Sequence, residues 1–219
     1  MSKKKWIIAM AAVLIIVAAA IIVWKVTKAD NDIITHVKLE GDFSGSYADI
    51  DQKGIKMQIP LGDGEHKPFT VSDDDDSPLM LDGNDYMITI CRQKDKPYIK
   101  NSYVEADMLE YYDGCKTINE YRVKTLLEDK ADEMDLVMLS CFGDAYALAE
   151  KERYVCIVIL MPPEKGMGYE SVTIEIFDTE DEYAHMADVT LWKYSPDGTN
   201  MMTLEEIAFM VESIEISPY

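Results

Sequence analysis

An apolar stretch near the N-terminus constrains this chain more than any other feature. Nineteen residues, from Trp6 to Trp24, contain no charge and are rich in Ile, Val and Ala. At about 1.5 Å per residue, a helix of this length spans roughly 28 Å, close to the hydrocarbon thickness of a bilayer. A Trp at each end suits the two membrane–water interfaces. The stretch therefore predicts one transmembrane anchor over residues 6–26.

Lysines on either side of the predicted anchor set its expected orientation. Three Lys precede the apolar stretch and two follow it, so the positive-inside rule favours a cytoplasmic tail at residues 1–5. The alternative of a signal peptide cleaved after Ala29 is disfavoured, because the apolar run exceeds the usual signal core of about 7–15 residues. A domain facing the cytoplasm is a third possibility. We expect a single-pass protein of the cell membrane with a polar lead-in at 27–53 and an extracytoplasmic domain at 54–219.

The chain beyond the predicted anchor is strongly acidic. The whole sequence holds 21 basic and 41 acidic residues and has a net charge of −20. All five charges in the first 28 residues are Lys, so the remainder carries a net charge of −25. Such a surface repels phosphate backbones and anionic lipid headgroups. Nucleic acid is therefore excluded as an expected partner, and an unknown protein or cationic partner remains.

Hydrophobic periodicity predicts both strands and helices. The predicted strands cover 33–39, 55–60, 86–92, 134–142, 154–161, 172–176, 189–194 and 214–216. A helix is predicted from Ser102 to Asp113, and T-x-x-E capping boxes predict two more, after Thr117 and Thr203. The segment 121–128 also fits a strand, 145–151 fits a strand or a short helix, and 61–85 is predicted to be a long polar loop. The expected fold class is α+β, a largely antiparallel sheet with two to four flanking helices behind a single N-terminal transmembrane helix.

The C-terminal segment has the most definite local pattern. Residues 191–216, LWKYSPDGTNMMTLEEIAFMVESIEI, predict a strand, an Asp-Gly turn, a capped helix and a last strand. This segment resembles the closing segment of uncharacterised extracytoplasmic α+β domains on bacterial membrane-anchored and sporulation-associated proteins. PsbP-like folds close in a similar way. The resemblance covers 26 of 219 residues; it implies an extracytoplasmic α+β domain and carries over no functional residue.

Cysteines and histidines show no catalytic or metal-binding spacing. The four cysteines are Cys91, Cys115, Cys141 and Cys156. The lack of a C-x-x-C pair argues against a zinc ribbon or a thioredoxin-like site, and leaves both buried thiols and up to two disulfides open. The three histidines are His36, His66 and His185, and none has a ligand partner at H-E-x-x-H or similar spacing. We therefore predict no catalytic residue.

Acidic residues between positions 73 and 85 form the best candidate metal site. The candidates are Asp73, Asp74, Asp75, Asp76, Asp82 and Asp85. Their oxygen atoms suit Ca²⁺, but Pro78 stands where an EF-hand loop needs glycine and no Glu closes the loop. The favoured interpretation is a solvated acidic loop that like charges hold extended.

Two classes of function are compatible with these features. The favoured class is a non-enzymatic binding, sensing or assembly domain at the membrane, because no catalytic motif is present. The alternative is a secreted-side hydrolase using paired carboxylates, which would need a concave pocket and a raised carboxyl pKa.

Overall fold

Strands dominate the structure. In the computed structural model the described residues are 34–61, 68–72, 79–83, 86–92, 103–131, 134, 145–162, 167–193 and 201–217. They form eleven strands and two helices: β1 Thr35–His36, β2 Tyr47–Gln52, β3 Ile55–Pro60, β4 Thr70–Ser72, β5 Leu79–Gly83, β6 Tyr86–Arg92, α1 Ile118–Leu127, β7 Ala145–Glu150, β8 Tyr154–Met161, β9 Ser171–Asp178, β10 Ala184–Lys193, α2 Leu204–Glu212 and β11 Glu215–Ile216. The compact unit begins at Ile34.

The strands form two sheets of unequal size. The larger sheet has the order β1-β7-β8-β9-β10-β6-β5-β4, and the smaller has the order β11-β3-β2. All neighbours are antiparallel except β1 and β7. One row of aligned residues crosses four strands of the larger sheet, running through Val158, Ile174, Val189 and Ile90. Because aligned residues share a face, this row fixes the inner face of the sheet.

The main core lies between the inner face of the larger sheet and a second layer. That layer contains the smaller sheet and α2, which contribute Ile55, Met57, Ile207 and Val211 to the core. These four side chains are at most 1% exposed. The smaller sheet and α2 therefore belong to the same core as the larger sheet and are not an appended module.

A smaller core lies on the outer face, where α1 covers one end of the larger sheet. Val123 and Leu126 of α1 pack with Val155, Ile157 and Phe177 of the sheet. Strand β8 is therefore covered on both faces, which explains its nearly unbroken apolar sequence. The rest of the outer face carries Thr89, Thr173 and Thr190 in one row, and these three residues are half-buried.

Both capped helices form as the sequence predicts. At α2, the Thr203 hydroxyl accepts the Glu206 N–H at 3.1 Å, and the Glu206 carboxylate accepts the Thr203 N–H at 2.8 Å. At α1, the Thr117 hydroxyl accepts the Glu120 N–H. The Glu120 carboxylate instead accepts the N–H of Lys116, the residue before the cap, at 2.7 Å. The alternative strand over 121–128 is therefore wrong.

Several strand predictions are confirmed and some need correction. Strands β3, β6 and β8 match their predicted bounds, and 172–176 lies inside β9. The segment 145–151 forms the strand β7 up to Glu150, and β10 begins before residue 189. The predicted strand at 134–142 lies outside the described residues except Met134, which is buried. The loop predicted for 61–85 is wrong in part, because β4 and β5 lie within it and pair with each other. The sequence hides this hairpin because both strands are short, at three and five residues.

The helix predicted to end at Asp113 is also wrong. Residues 106–114 are a succession of turns, and Asp113 and Gly114 adopt φ of 53° and 75°. The apolar spacing fits a helix, yet Tyr103, Met108 and Tyr111 are exposed. Without a packed apolar face, a short helix gains too little to offset its nucleation cost.

The predicted fold class, α+β with two to four flanking helices behind a transmembrane helix, is wrong. The described part of the chain is mostly sheet with two helices. Neither helix of this part is long and apolar enough to cross a membrane. Residues 6–26, which carry the predicted anchor, lie outside the described residues. The predicted single-pass location in the cell membrane and the predicted signal anchor depended on such a helix and are wrong with it.

Candidate functional site

A two-residue turn determines which backbone groups β2 presents to its surroundings. Lys53 and Gly54 connect β2 to β3 with φ of 50° and 72°, as a type I′ turn requires at both central positions. The residues flanking such a turn, Gln52 and Ile55, form a pair that exchanges backbone hydrogen bonds. Alternate residues of β2 therefore bond to β3, and the others direct their N–H and C=O groups away from it.

The groups that point away from β3 belong to Tyr47, Asp49 and Asp51. Strand β2 is the last strand of the order β11-β3-β2, and nothing in the described part of the chain pairs with its other side. It has six residues, compared with two in β1, three in β4 and two in β11, the other strands at sheet edges. The edge of β2 is therefore the longest open backbone edge among the described residues.

The side chains of these three residues share the exposed face of the smaller sheet. Between them, Ile50 points into the main core. Across β3, Asp51 lies opposite Lys56 at 3.7 Å, and Asp49 accepts a hydrogen bond from the Gln58 side chain at 3.0 Å. The Asp51 side chain remains 67% exposed, so this ion pair contributes little stability.

An aromatic cluster holds the start of β2. The Phe209 ring of α2 lies 4.8 Å from the Phe43 ring and 5.5 Å from the Tyr47 ring, centroid to centroid. The chain reaches this cluster past Gly41, where a Cβ atom would stand only 2.7 Å from Cγ of Glu205. Close backbone packing against α2 thus positions Tyr47, whose side chain remains 48% exposed.

A second exposed surface lies on the outer face of the larger sheet. Met161, Trp192 and Met87 lie in one row, linked through Ser171. All three side chains are more than a third exposed, while Ser171 is buried beneath them. The row is an apolar surface strip next to the three threonines of the outer face.

A cleft of about 430 Å³ opens beside β11 and the β7–β8 turn. It brings Glu152, Asp178 and Glu215 together with Lys151 and Arg153. The polar groups of its wall also hold the end of α2. Lys151 donates to the Glu212 carbonyl at 2.9 Å, and the hydroxyl of Tyr154 donates to the Ile214 carbonyl at 2.6 Å.

Among the carboxyl groups in the described part of the chain, Glu120 and Glu128 have a pKa below its ordinary value. Burial would raise the pKa of Glu120, but hydrogen bonds from Lys124 and from the Lys116 N–H outweigh it. A hydrogen bond from Lys130 lowers the pKa of Glu128. Lowered pKa values keep both groups ionised, which is the opposite of what a general acid needs.

Most of the predicted metal-site residues lie outside the described part of the chain. This applies to Asp73–Asp76 and to Asp85, whereas Asp82 lies in β5 with its backbone aligned to Met87. Among the described residues, no group of three or more His, Cys, Asp or Glu could hold a metal ion. The Ca²⁺ site therefore stays a prediction.

The described cysteines and histidines are engaged in packing. Cys115 and Cys156 are buried free thiols, and Cys91 is buried, whereas Cys141 and His66 lie outside the described residues. His36 stacks on Tyr146 and lies 3.0 Å from Asp129. His185 is buried against Phe177 and lies 2.7 Å from Asp188.

Sequence reasoning missed the β2 edge. The lead-in predicted at 27–53 contains β2, whose inward row of Ala48, Ile50 and Gln52 holds a single large apolar side chain. The sequence signal that could have indicated the β2–β3 hairpin was the Lys-Gly pair at 53–54, since glycine is favoured where a hairpin turn needs positive φ.

Comparisons with known proteins assign no family. No family model and no curated protein matches this chain. Among solved structures, the Ran-binding protein Mog1p of Saccharomyces cerevisiae is similar over 79% of this chain and 96% of its own length. The identity is 7% and the TM-score is 0.31, a likeness too low to carry any argument about this chain.

Proposed function

We propose that this chain is a non-enzymatic protein-binding domain that recruits its partner by adding one strand of that partner to β2. The observation that supports this proposal is the open backbone edge at Tyr47, Asp49 and Asp51. Three residues supply three N–H and three C=O groups, so an added strand forms up to about six backbone hydrogen bonds. At about 0.5–1.5 kcal/mol each, these bonds give useful but reversible affinity.

A second copy of this chain is a poor occupant of the edge. Pairing two β2 strands would place Asp49 and Asp51 of one copy near the same carboxylates of the other. Like charges directly opposite each other destabilise a sheet, and the net charge of −20 adds long-range repulsion. The proposed occupant is therefore a different protein.

The hydrolase alternative is not favoured by any described feature. Its expected mark was a pocket with two carboxylates and a raised carboxyl pKa. The cleft beside β11 mixes its carboxylates with Lys151 and Arg153, and Lys151 and Tyr154 are bonded to the end of α2.

A backbone-blocking substitution tests the proposed function. Asp49→Pro removes an N–H that points away from β3 and leaves the β2–β3 hydrogen bonds in place. Asp49→Ala is the matched control, since both variants lack the carboxylate and differ in the N–H and the ring. Binding of fluorescent eight-residue peptides with alternating Val and Thr is measured on the full chain by anisotropy.

We expect the peptides to bind the wild type and Asp49→Ala and to lose at least tenfold in affinity for Asp49→Pro. Urea midpoints and circular dichroism of the two variants should agree, which excludes unfolding as the cause. Equal binding to both variants, or no binding to the wild type, would contradict strand addition at β2.

A further inference from the structure

The positions that present open backbone groups also carry the exposed side chains of β2. Period-2 alternation places Tyr47, Asp49 and Asp51 on one face, and the same alternation directs their N–H and C=O groups outward. Side chains of an added strand would stand opposite these three, with Cβ atoms about 4.5–5.5 Å apart. The chemistry of this row therefore selects the sequence of the added strand.

From this row we propose that the added strand carries Lys or Arg at two alternate positions, opposite Asp49 and Asp51, and an apolar residue opposite Tyr47. The inference rests on the proposed strand addition at β2 and names the partner it selects. The partner is a protein with an extended segment in which basic residues alternate with uncharged ones.

Strand β3 shows part of this complement on the other side of β2, with one basic residue and one amide. It places Lys56 opposite Asp51 and Gln58 opposite Asp49. A carboxylate offers about four lone-pair sites, and Asp51 is mostly exposed with its Lys56 contact at 3.7 Å. Both carboxylates therefore have room for a second cationic partner from the open side.

The aromatic cluster completes the row at the start of β2. Tyr47 rests on Phe209 and remains about half exposed. Aromatic residues held in a cluster are frequent anchors of protein interfaces. The net charge of −20 also draws a basic segment towards this chain and repels an acidic one.

The competing explanation is that Asp49 and Asp51 protect an exposed edge. Charged side chains on edge strands prevent pairing with other chains. Under that explanation, Asp49→Asn with Asp51→Asn would make the full chain self-associate without changing its preference among peptides.

Two synthetic peptides of equal composition separate pattern from net charge. The alternating probe is acetyl-Thr-Lys-Thr-Lys-Thr-Val-amide, which in antiparallel pairing places its Val opposite Tyr47 and its two Lys opposite Asp49 and Asp51. The block probe is acetyl-Lys-Lys-Val-Thr-Thr-Thr-amide. In a paired strand, adjacent lysines point to opposite faces, so only one of them faces the β2 carboxylates. Affinities are measured for the full chain by anisotropy in low and moderate salt, and self-association by sedimentation velocity.

We expect the alternating probe to bind about 3–10-fold more tightly than the block probe in low salt, with a smaller ratio in moderate salt. Asp49→Asn with Asp51→Asn should remove this preference, since the amide introduced at position 49 retains an acceptor for Gln58 but neither position keeps a charge. The matched control, Glu150→Gln with Asp181→Asn, removes two exposed carboxylates from β7 and the β9–β10 turn and should keep the preference.

Equal binding of both probes to the wild type, or an unchanged preference in the double amide variant, would overturn the selection of alternating basic residues. Self-association of that variant without a change in preference would assign the carboxylates to edge protection. In either case, binding of the uncharged Val-Thr peptide that remains sensitive to Asp49→Pro would leave strand addition itself standing.

Discussion

At the scale of single residues, the main core contains a buried polar contact beside the ring of Tyr86. The Lys193 side chain is 3% exposed and lies 3.6 Å from the Glu206 carboxylate and 5.1 Å from the centre of the Tyr86 ring. The Tyr86 hydroxyl is buried and has no hydrogen-bond partner in the described part of the chain. Burial, with the nearby Glu206, raises the pKa of Tyr86 far above its ordinary value.

Tyr86→Phe should therefore not destabilise the protein. It removes a hydroxyl that lost its water on folding, and a buried unsatisfied polar group costs about 1–3 kcal/mol. The ring remains for the contact with Lys193. We expect urea unfolding to show an equal or higher midpoint, and a loss of more than about 1 kcal/mol would mean that the hydroxyl is bonded in solution.

The Cys156 thiol predicts a loss of stability at alkaline pH. This thiol is fully buried, and burial raises its pKa from an ordinary value of 9.0 to about 12. The unfolded chain therefore releases this proton first, and the free energy of unfolding falls as the pH rises from about 9 to 12. Between pH 8 and pH 10, the wild type should lose about 1 kcal/mol more than Cys156→Ala in urea titrations. Parallel losses in both proteins would contradict this assignment.

At the scale of elements, α2 closes the main core. Ile207 and Val211 are fully buried in it, and the capping box fixes the start of the helix. Ile207→Ala loses transfer energy and leaves a cavity, so we expect about 2–5 kcal/mol of lost stability. Thr203→Ala removes a capping bond and should cost about 1 kcal/mol. Urea unfolding of both variants measures this order.

A charged substitution on the same helix distinguishes a core helix from one held out for a partner. Ile207→Asp should unfold the protein or lower its urea midpoint more than Ile207→Ala, because an unpaired carboxylate would be buried. If the midpoint stays unchanged, α2 is not part of the folded core.

At the scale of the whole molecule, one core joins the two sheets. Ile59 of β3 and Val158 of β8 are both fully buried in it. We expect their amide protons to exchange through the same global unfolding, with free energies that agree within about 0.5 kcal/mol by native-state hydrogen exchange. Amides of the β2 edge should exchange much faster. Distinct free energies for β3 and β8 would separate the molecule into two cooperative units.

The sequence predicts well those strands whose own residues decide their burial. Strands β3 and β8 carry enough apolar side chains to require a core on one or both faces. Strand β2 was missed because Ile50 is its one large inward apolar residue, so its pairing with β3 decides its structure. The turns before Gly114 show the converse, since Val104, Met108 and Tyr111 have helical spacing, yet Met108 and Tyr111 remain exposed.

The candidate site could not be predicted from the sequence for a topological reason. Whether a strand has one neighbour or two depends on how the whole chain is ordered in the sheet. The acidic positions of β2 are ordinary in a chain with 41 acidic residues. They become a candidate binding site only because the strand order β11-β3-β2 places them at an open edge.

The strand order also has a consequence for synthesis. Strand β3 pairs with β11, and its core-facing residues pack against α2, both of which are made about 150 residues later. At roughly 5–20 residues per second, the β2–β3 hairpin leaves the ribosome on the order of 10–30 s before its covering layer exists. During this interval Ile55, Met57 and Ile59 face solvent on a nascent chain.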